Sequence, residues 1–289
     1  MERKLKKIER AAALLADNLG CLKCPHCGSG FEEVSNHGIV CPNRHRFDLS
    51  KKGYLNLLKQ NHKTLYDNEL FVSRQKIYGA GLYEPLLEEI FHLLDGMTLE
   101  SASKILDAGS GEGYFVNELA QKIKGSLFGL DISKEGIGIA TQREEDVTWC
   151  VGDLSQLPFQ DGTWDVILNI LSPANYLEFQ RTMKKNGFLV KVIPGPSYLK
   201  EIREALKGKI RNETYSNEDV IKGFQDKLHL TNLRTIKYKK NIDPALFPSL
   251  IQMTPLTAHL NDQDFQSLLK ADISEITIEL TILAGQFIS

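Results

Sequence analysis

An apolar strand that runs into three glycines at alternate positions constrains this chain more than any other feature. Residues 104–114 read Lys-Ile-Leu-Asp-Ala-Gly-Ser-Gly-Glu-Gly-Tyr, so a short hydrophobic run ends at Asp107 and opens into a turn carrying Gly109, Gly111 and Gly113. A turn of this kind lets backbone approach a ligand closely. The third glycine of the dinucleotide fingerprint G-x-G-x-x-G would fall at Tyr114, so the spacing departs from it. Glu112 also places a carboxylate near the start of the next helix, where it repels a pyrophosphate but tolerates a cation or zwitterion.

The flanking sequence alternates short apolar runs with helical stretches, the pattern of a doubly wound α/β sheet. It predicts strands at 104–108, 126–130, 147–151, 164–171 and 187–193, with helices at 113–123, 134–143 and 175–184 between them. Beyond these it predicts a strand near 233–239, helices near 244–252 and 262–271, and a long alternating strand over 273–287. Asp131 lies at the end of the second strand and Asp153 just after the third.

S-adenosylmethionine meets the requirements of this loop. It has no phosphate, carries a positive sulfonium and an amino group, and presents ribose hydroxyls that need an acceptor. Asp107 can organise its amino-acid end, Gly109 and Gly111 admit it, Asp131 can take the ribose hydroxyls and Asp153 can lie near adenine. For Asp153 the plainer reading is a helix or turn cap. The fold expected is that of a class I S-adenosylmethionine-dependent methyltransferase, a Rossmann-like sheet with an antiparallel edge strand, over residues 101–289.

A second signal lies upstream. Cys24-Pro25-His26-Cys27, thirteen residues, then Cys41-Pro42-Asn43-Arg44-His45 gives C-x2-C-x13-C-x3-H. Two knuckles of this kind converge on one tetrahedral zinc ion held by Cys24, Cys27, Cys41 and His45. Gly38-Ile39-Val40 reads as a short returning strand. Cys21 overlaps as an alternative C-x2-C pair and is left as a spare thiol, while Cys150 reads as a buried strand residue.

The first 63 residues carry 12 Lys/Arg against 6 Asp/Glu, and the remainder 23 against 31, so the overall charge of −2 conceals a basic head on an acidic body. Arg44, Arg46, Lys51, Lys52, Lys59 and Lys63, interleaved with Phe47, Tyr54 and His62, suit an RNA surface of phosphate-contacting and base-stacking groups. The plainer alternative is a solvated face on a zinc ribbon. The organisation expected is an amphipathic helix in 1–20, a zinc-binding RNA-recognition module in 21–60, a helical linker in 61–100 and the methyltransferase domain. No apolar run approaches the roughly 20 residues of a membrane span, and no segment reads as a signal peptide, so a cytoplasmic location is expected. Oligomeric state is left open, a homodimer included.

Taken together, these motifs resemble those of the 23S rRNA (guanine-N1)-methyltransferases of the RlmA type. The resemblance runs through both knuckles, Phe47-Asp48, residues 53–58 (Gly-Tyr-Leu-Asn-Leu-Leu), residues 80–86 (Ala-Gly-Leu-Tyr-Glu-Pro-Leu), 106–114, 129–133, Leu157-Pro158-Phe159, Pro194-Gly195-Pro196 and Gln252-Met253-Thr254-Pro255. It implies methyl transfer from S-adenosylmethionine to N1 of one guanine in a 23S rRNA hairpin, with zinc on the four ligands named above. It further implies cofactor contacts at Tyr83, Gly111, Glu112 and Tyr198, the last standing where relatives can have histidine. Asn169 likewise replaces a basic residue of some relatives. The leaning is to the Gram-positive subtype, some members of which are associated with macrolide resistance.

Guanine N1 carries a proton on the Watson–Crick edge, so the base must leave its pairing and lose that proton as the methyl arrives. Asn169, Ser172 and Asn175 can contact the guanine edge or can simply cap a helix, and no residue stands out as a base. Two other readings are a small-molecule methyltransferase and a non-catalytic, zinc-dependent RNA-binding protein.

Overall fold

A computed structural model describes residues 5–35, 37–60, 68–209 and 215–288. His62 and Lys63, assigned above to an RNA surface, lie outside them. The chain opens with helix α1 (Lys7–Asp17), followed by a three-stranded antiparallel sheet of β1 (Glu33–Ser35), β2 (Gly38–Val40) and β3 (Arg46–Asp48). Then come β4 (Tyr54–Asn56) and two helices, α2 (Asn68–Gly79) and α3 (Glu84–Asp95).

The alternating part follows the predicted order: β5 (Lys104–Ala108), α4 (Tyr114–Ala120), β6 (Ser126–Asp131), α5 (Lys134–Ala140), β7 (Val147–Val151), β8 (Trp164–Ile170), α6 (Tyr176–Thr182) and β9 (Met183–Pro194). After it lie α7 (Lys200–Ala205), α8 (Glu218–Gln225), β10 (Leu228–Asn241), α9 (Phe247–Met253), α10 (Asp262–Leu269) and β11 (Glu275–Phe287). Polar caps start several helices where the sequence supplies them. Ser133 accepts from the Gly136 amide, Asn175 from that of Glu178 and Asn261 from that of Asp264.

The large sheet has eight strands in the order β10-β11-β9-β8-β5-β6-β7-β4. Pairing is parallel from β9 through β4, and β11 runs against both β9 and β10. The sequence steps from β5 to β6 on one side and returns to β8 on the other. The crevice beyond the carboxyl ends of β5 and its neighbours is therefore the topological switch point where such folds bind ligands.

β4 is the outcome least expected from the sequence. It lies in the segment assigned to the zinc module, yet it pairs in parallel with β7, Leu55 opposite Cys150. The basic head is joined to the sheet by more than this strand. Leu22 bridges to Phe159, the Lys23 amide donates to Pro158 O at 2.9 Å and the Gln160 amide to Cys21 O at 2.8 Å. Leu22, Phe31, Phe47, Leu49, Leu55 and Leu57 share one buried cluster with Phe128, Phe159 and Trp164. A fully buried side chain of this size is worth about 1.5–3 kcal/mol, so a module too small for a core of its own borrows one from the sheet. Among the described residues no helix is long and apolar enough to cross a membrane.

Candidate active site and metal centre

A cavity of about 1200 Å³ lies at the switch point, lined from the ends of β5, β6, β7, β8 and β9 and roofed by residues of α2. The glycine loop forms its floor. Gly109, Gly111 and Gly113 have φ of +86°, +56° and +75°, the left-handed region that L side chains rarely adopt. A Cβ on Gly109 would stand 1.9 Å from Ser172 Oγ, and one on Gly113 would stand 2.4 Å from the Trp149 ring. Backbone conformation thus demands all three glycines, and lack of space adds to the demand at Gly109 and Gly113.

The amides of this loop are already committed. Those of Gly109 and Ser110 donate to Leu130 O at 2.8 and 3.0 Å, and that of Gly111 donates to Asp131 Oδ2 at 2.9 Å. These three amides are not free to bind a pyrophosphate. Acidic groups take the place of a phosphate. Asp107 and Glu112 are buried, and both line the cavity with Asp131.

Burial pushes the Asp107 carboxyl up to about 8, reinforced by the negative charges of Asp131 and Glu112. Burial likewise raises Glu112 to about 7, with the Arg74 guanidinium opposing the shift. Asp131 is raised by burial against the amides of Ser133 and Gly111 that bond it. Ser110 Oγ and Glu112 Oε2 are buried with no hydrogen-bond partner, Arg74 Nη1 lying 3.7 Å from the latter.

A cavity with excess buried carboxylate and orphaned acceptors calls for a cationic donor. The amino group and sulfonium of S-adenosylmethionine fit that demand. Asp107, Ser110, Glu112 and Asp131 are the residues that would hold it, with Gly109 and Gly111 admitting it.

Tyr83 and Tyr198, expected only from resemblance, reach the same cavity, where their hydroxyls hydrogen-bond each other. Asp153 also lines it, but its carboxylate accepts from the Ser155 amide at 2.7 Å, so the capping role is met as well. For Asn169 and Asn175 the sequence left guanine contact and helix capping both open. Asn169 is fully buried and donates to Ala108 O and Pro173 O, both at 3.0 Å, so its amide is spent inside the protein rather than on a guanine edge. Asn175 caps α6 and donates to Leu154 O and Ser155 O, in keeping with the plainer reading.

Three residues of the site escaped the sequence. Arg74 and Tyr78 come from α2, in the stretch read as a linker. Lys191 comes from β9, and its presence in the apolar run 187–193 was the available signal.

The four metal-ligand candidates meet at the other functional centre. Sγ of Cys24, Cys27 and Cys41 and one ring nitrogen of His45 all lie within 4.8 Å of one another. Cys27 and Cys41 sulfurs are 3.7 Å apart, and His45 Nδ1 is 3.4 Å from Cys41 Sγ and 3.6 Å from Cys24 Sγ. Zinc bonds of ~2.3 Å to sulfur and ~2.0–2.1 Å to nitrogen set tetrahedral edges of about 3.8 and about 3.5 Å, so the set fits a closed zinc site. Cys21 stands outside this set and is buried, as is Cys150.

Arg44 and Arg46, on either side of the ligand His45 in the chain, are exposed, as are Lys51 and Lys52, the latter reaching toward Gly138 of α5. Phe47 is not available for base stacking. It is 6% exposed, with its ring between His26 and Phe31 in the core of the module.

Both parts of the chain have counterparts among known proteins. Residues 22–64 match the zinc-ribbon family described as RlmA, N-terminal, and residues 105–187 match a methyltransferase domain family. YxjB of Bacillus subtilis (strain 168), assigned as a 23S rRNA (guanine-N1)-methyltransferase, is 37% identical over 91% of this chain and 96% of its own. The chain belongs to the RlmA-type 23S rRNA (guanine-N1)-methyltransferase family. The 23S rRNA (guanine(748)-N1)-methyltransferase of Streptomyces fradiae is 25% identical over 90% of this chain and 94% of its own. Among solved structures, YcgJ of Bacillus subtilis superposes with a TM-score of 0.49 at 14% identity, covering 69% of this chain and 98% of that one. With a methyltransferase domain and a zinc ribbon whose Cys3His set is assembled, S-adenosylmethionine and zinc are the cofactors.

Proposed function

We propose that this chain methylates N1 of one guanine in a hairpin of 23S rRNA, and that residues 21–60 form the module that recognises the RNA. One observation carries the reading: an acidic cavity suited to S-adenosylmethionine and a Cys3His site occur in a single chain, and a relative of the same assignment matches it almost end to end.

When bound, S-adenosylmethionine supplies an electrophilic methyl group on sulfur. The chain's own residues do the rest. Asp107, Glu112 and Asp131 neutralise and orient the cationic ligand, while Tyr83 and Tyr198 close the wall beside it. Holding guanine N1 within about 3–3.5 Å of the methyl carbon supplies much of the rate by proximity. In this reading the guanine meets Ser172, which lines the cavity beside Gly109.

Exposed Arg44, Arg46, Lys51 and Lys52 contact phosphates of the hairpin in this reading, on a ribbon that zinc holds in shape. Arg46 spends part of its charge on Asp48 at 3.5 Å. A ribosomal substrate places the protein in the cytoplasm.

Methylation at N1 blocks base pairing, so reverse transcriptase stops at the modified guanine. Primer extension on 23S rRNA from a deletion strain is expected to lose one stop, and complementation to restore it. An unchanged pattern of stops would refute the assignment.

A further inference from the structure

We propose that the Lys191 amine accepts the N1 proton of the target guanine, a step that rests on the function proposed above. Lys191 sits on β9 between Val190 and Val192, both fully buried, and is itself only 5% exposed, yet its side chain lines the cavity. Its Nζ donates to Asn169 Oδ1 at 2.6 Å and to Ser172 O at 3.2 Å. Among the described residues no carboxylate pairs with it. A buried lysine without a counter-ion is costly when charged, and packing alone would be served by an aliphatic side chain.

The hydrogen-bond pattern suits the neutral amine. Such an amine has two N–H bonds and one lone pair, and the two acceptors take both hydrogens. Asn169 cannot turn to reverse this arrangement, because its Nδ2 is held by Ala108 O and Pro173 O and its Oδ1 must therefore face the lysine. The lone pair is left for the cavity. Ala108 precedes Gly109, and Ser172 Oγ lies against Gly109, so the amine stands beside the glycine loop where β8 and β9 end.

Burial lowers the amine to about 8, within reach of the pH at which a general base is most useful. Other charged groups share the cavity: Asp107, Glu112, Asp131 and Arg74 on the cofactor side, and Asp153, Asp219 and Lys227 from other elements. The Tyr78, Tyr83, Tyr176 and Tyr198 residues line it too, and Glu279 of β11, outside the cavity lining, is engaged by Ser197 and Lys237. Burial rather than any of these groups sets the shift of Lys191.

In the step itself the guanine N1–H bond breaks and the proton passes to the Nζ lone pair. The electron pair on N1 forms the new bond to the methyl carbon of the donor. The carbon–sulfur pair stays on sulfur, which becomes a neutral thioether, and the lysine ammonium returns its proton to water before the next turnover.

The test is single-turnover methyl transfer from S-adenosylmethionine to an rRNA hairpin transcript between pH 6 and 9, with cofactor binding measured by calorimetry. For the wild type, the rate is expected to rise through about pH 8 and level off. Lys191→Met should lower it about 100-fold and flatten the profile while leaving the cofactor Kd within about twofold. Methylamine should restore part of the rate to Lys191→Ala, a rescue that a packing role does not provide.

A flat wild-type profile overturns the proposal whether or not the variants fold. So does a Lys191→Met rate within threefold of wild type, or a folded Lys191→Ala that amine does not rescue. If the wild type methylates no guanine N1 at any pH, the functional reading falls first, a result distinct from the failure of Lys191.

Discussion

Arg74 Nη1 stands 3.7 Å from Glu112 Oε2, joining a helix before the sheet to the glycine loop that follows its first central strand. The contact is an ion pair without a hydrogen bond, and Glu112 Oε2 remains an acceptor waiting for a donor. Replacing Glu112 with Gln removes one buried charge and weakens that acceptor. A hydrogen bond to a charged group is worth about 1.5–3 kcal/mol, so Glu112→Gln is expected to raise the S-adenosylmethionine Kd about 10–100-fold, measured by calorimetry. A Kd equal to wild type would detach Glu112 from the cofactor.

The same carboxyls make the ligand-free protein sensitive to alkali. Asp107 and Glu112 have folded-state values near 8 and 7 against ordinary values of 3.8 and 4.5. Between these limits the folded chain holds protons that the unfolded chain has lost. Stability therefore falls as pH rises from about 4 through about 8. Thermal unfolding of the ligand-free protein should show a Tm that declines over this window, with a shallower decline in Glu112→Gln. A Tm that climbs steadily from pH 5 to 8 in both would mean that these carboxyls ionise freely in the fold.

Cofactor binding should then release protons. At pH 7 a carboxyl near 8 is mostly protonated, and a cationic ligand seated beside it favours the carboxylate. Titration calorimetry at pH 7 in buffers of differing ionisation enthalpy is expected to show about one proton released per S-adenosylmethionine bound. Identical heats in every buffer would show that Asp107 is ionised before the ligand arrives.

The glycines separate two costs that usually come together. Gly162 has φ +62°, and a Cβ added there would meet nothing within 4 Å, so Gly162→Ala should cost about 1–2 kcal/mol for the left-handed backbone alone. Gly109 has φ +86° and would drive its new Cβ into Ser172. Gly109→Ala is expected to cost at least about 3 kcal/mol in denaturant unfolding and to abolish cofactor binding. Equal losses at the two sites would show that the loop has room to move.

Much of this architecture is legible in the sequence because local signals agree with the fold. The runs at 104–108 and 147–151 are strands with the bounds expected, since each is apolar, short and bracketed by polar or glycine residues. β9 starts earlier than expected, at Met183, because Met183 pairs with Trp164 while the polar residues 184–186 bulge from the ladder before Phe188 resumes it opposite Val166. β4 has only three residues and exists by virtue of its long-range partner, so no periodicity marks it. Arg74 was hidden for a related reason: α2 is covered by α9 on one side and the cavity on another, which leaves no clean amphipathic stripe. The zinc ligands declared themselves through spacing, whereas the burial of Phe47 depended on the tertiary packing of Phe31 and His26 around it.

Zinc removal should be felt in the sheet as well as in the ribbon. Trp164 is fully buried, with ring centroids 4.7 Å from Phe159 and 4.9 Å from Phe128, and Phe159 is bridged through its backbone to Leu22, two residues before the first ligand. Trp149 lies in the other buried cluster, against Gly113 and Gly129 of the cofactor half. Chelation, or Cys24→Ser, is therefore expected to shift the emission of Trp164 to the red in a Trp149→Phe background. The emission of Trp149 in a Trp164→Phe background should change little, and S-adenosylmethionine should still raise the Tm. Metal analysis of protein purified without chelator should give about one zinc per chain. If both tryptophans respond alike and cofactor binding is lost with the metal, the ribbon and the cofactor half fold as one cooperative unit, and the core that the ribbon borrows extends through the whole sheet.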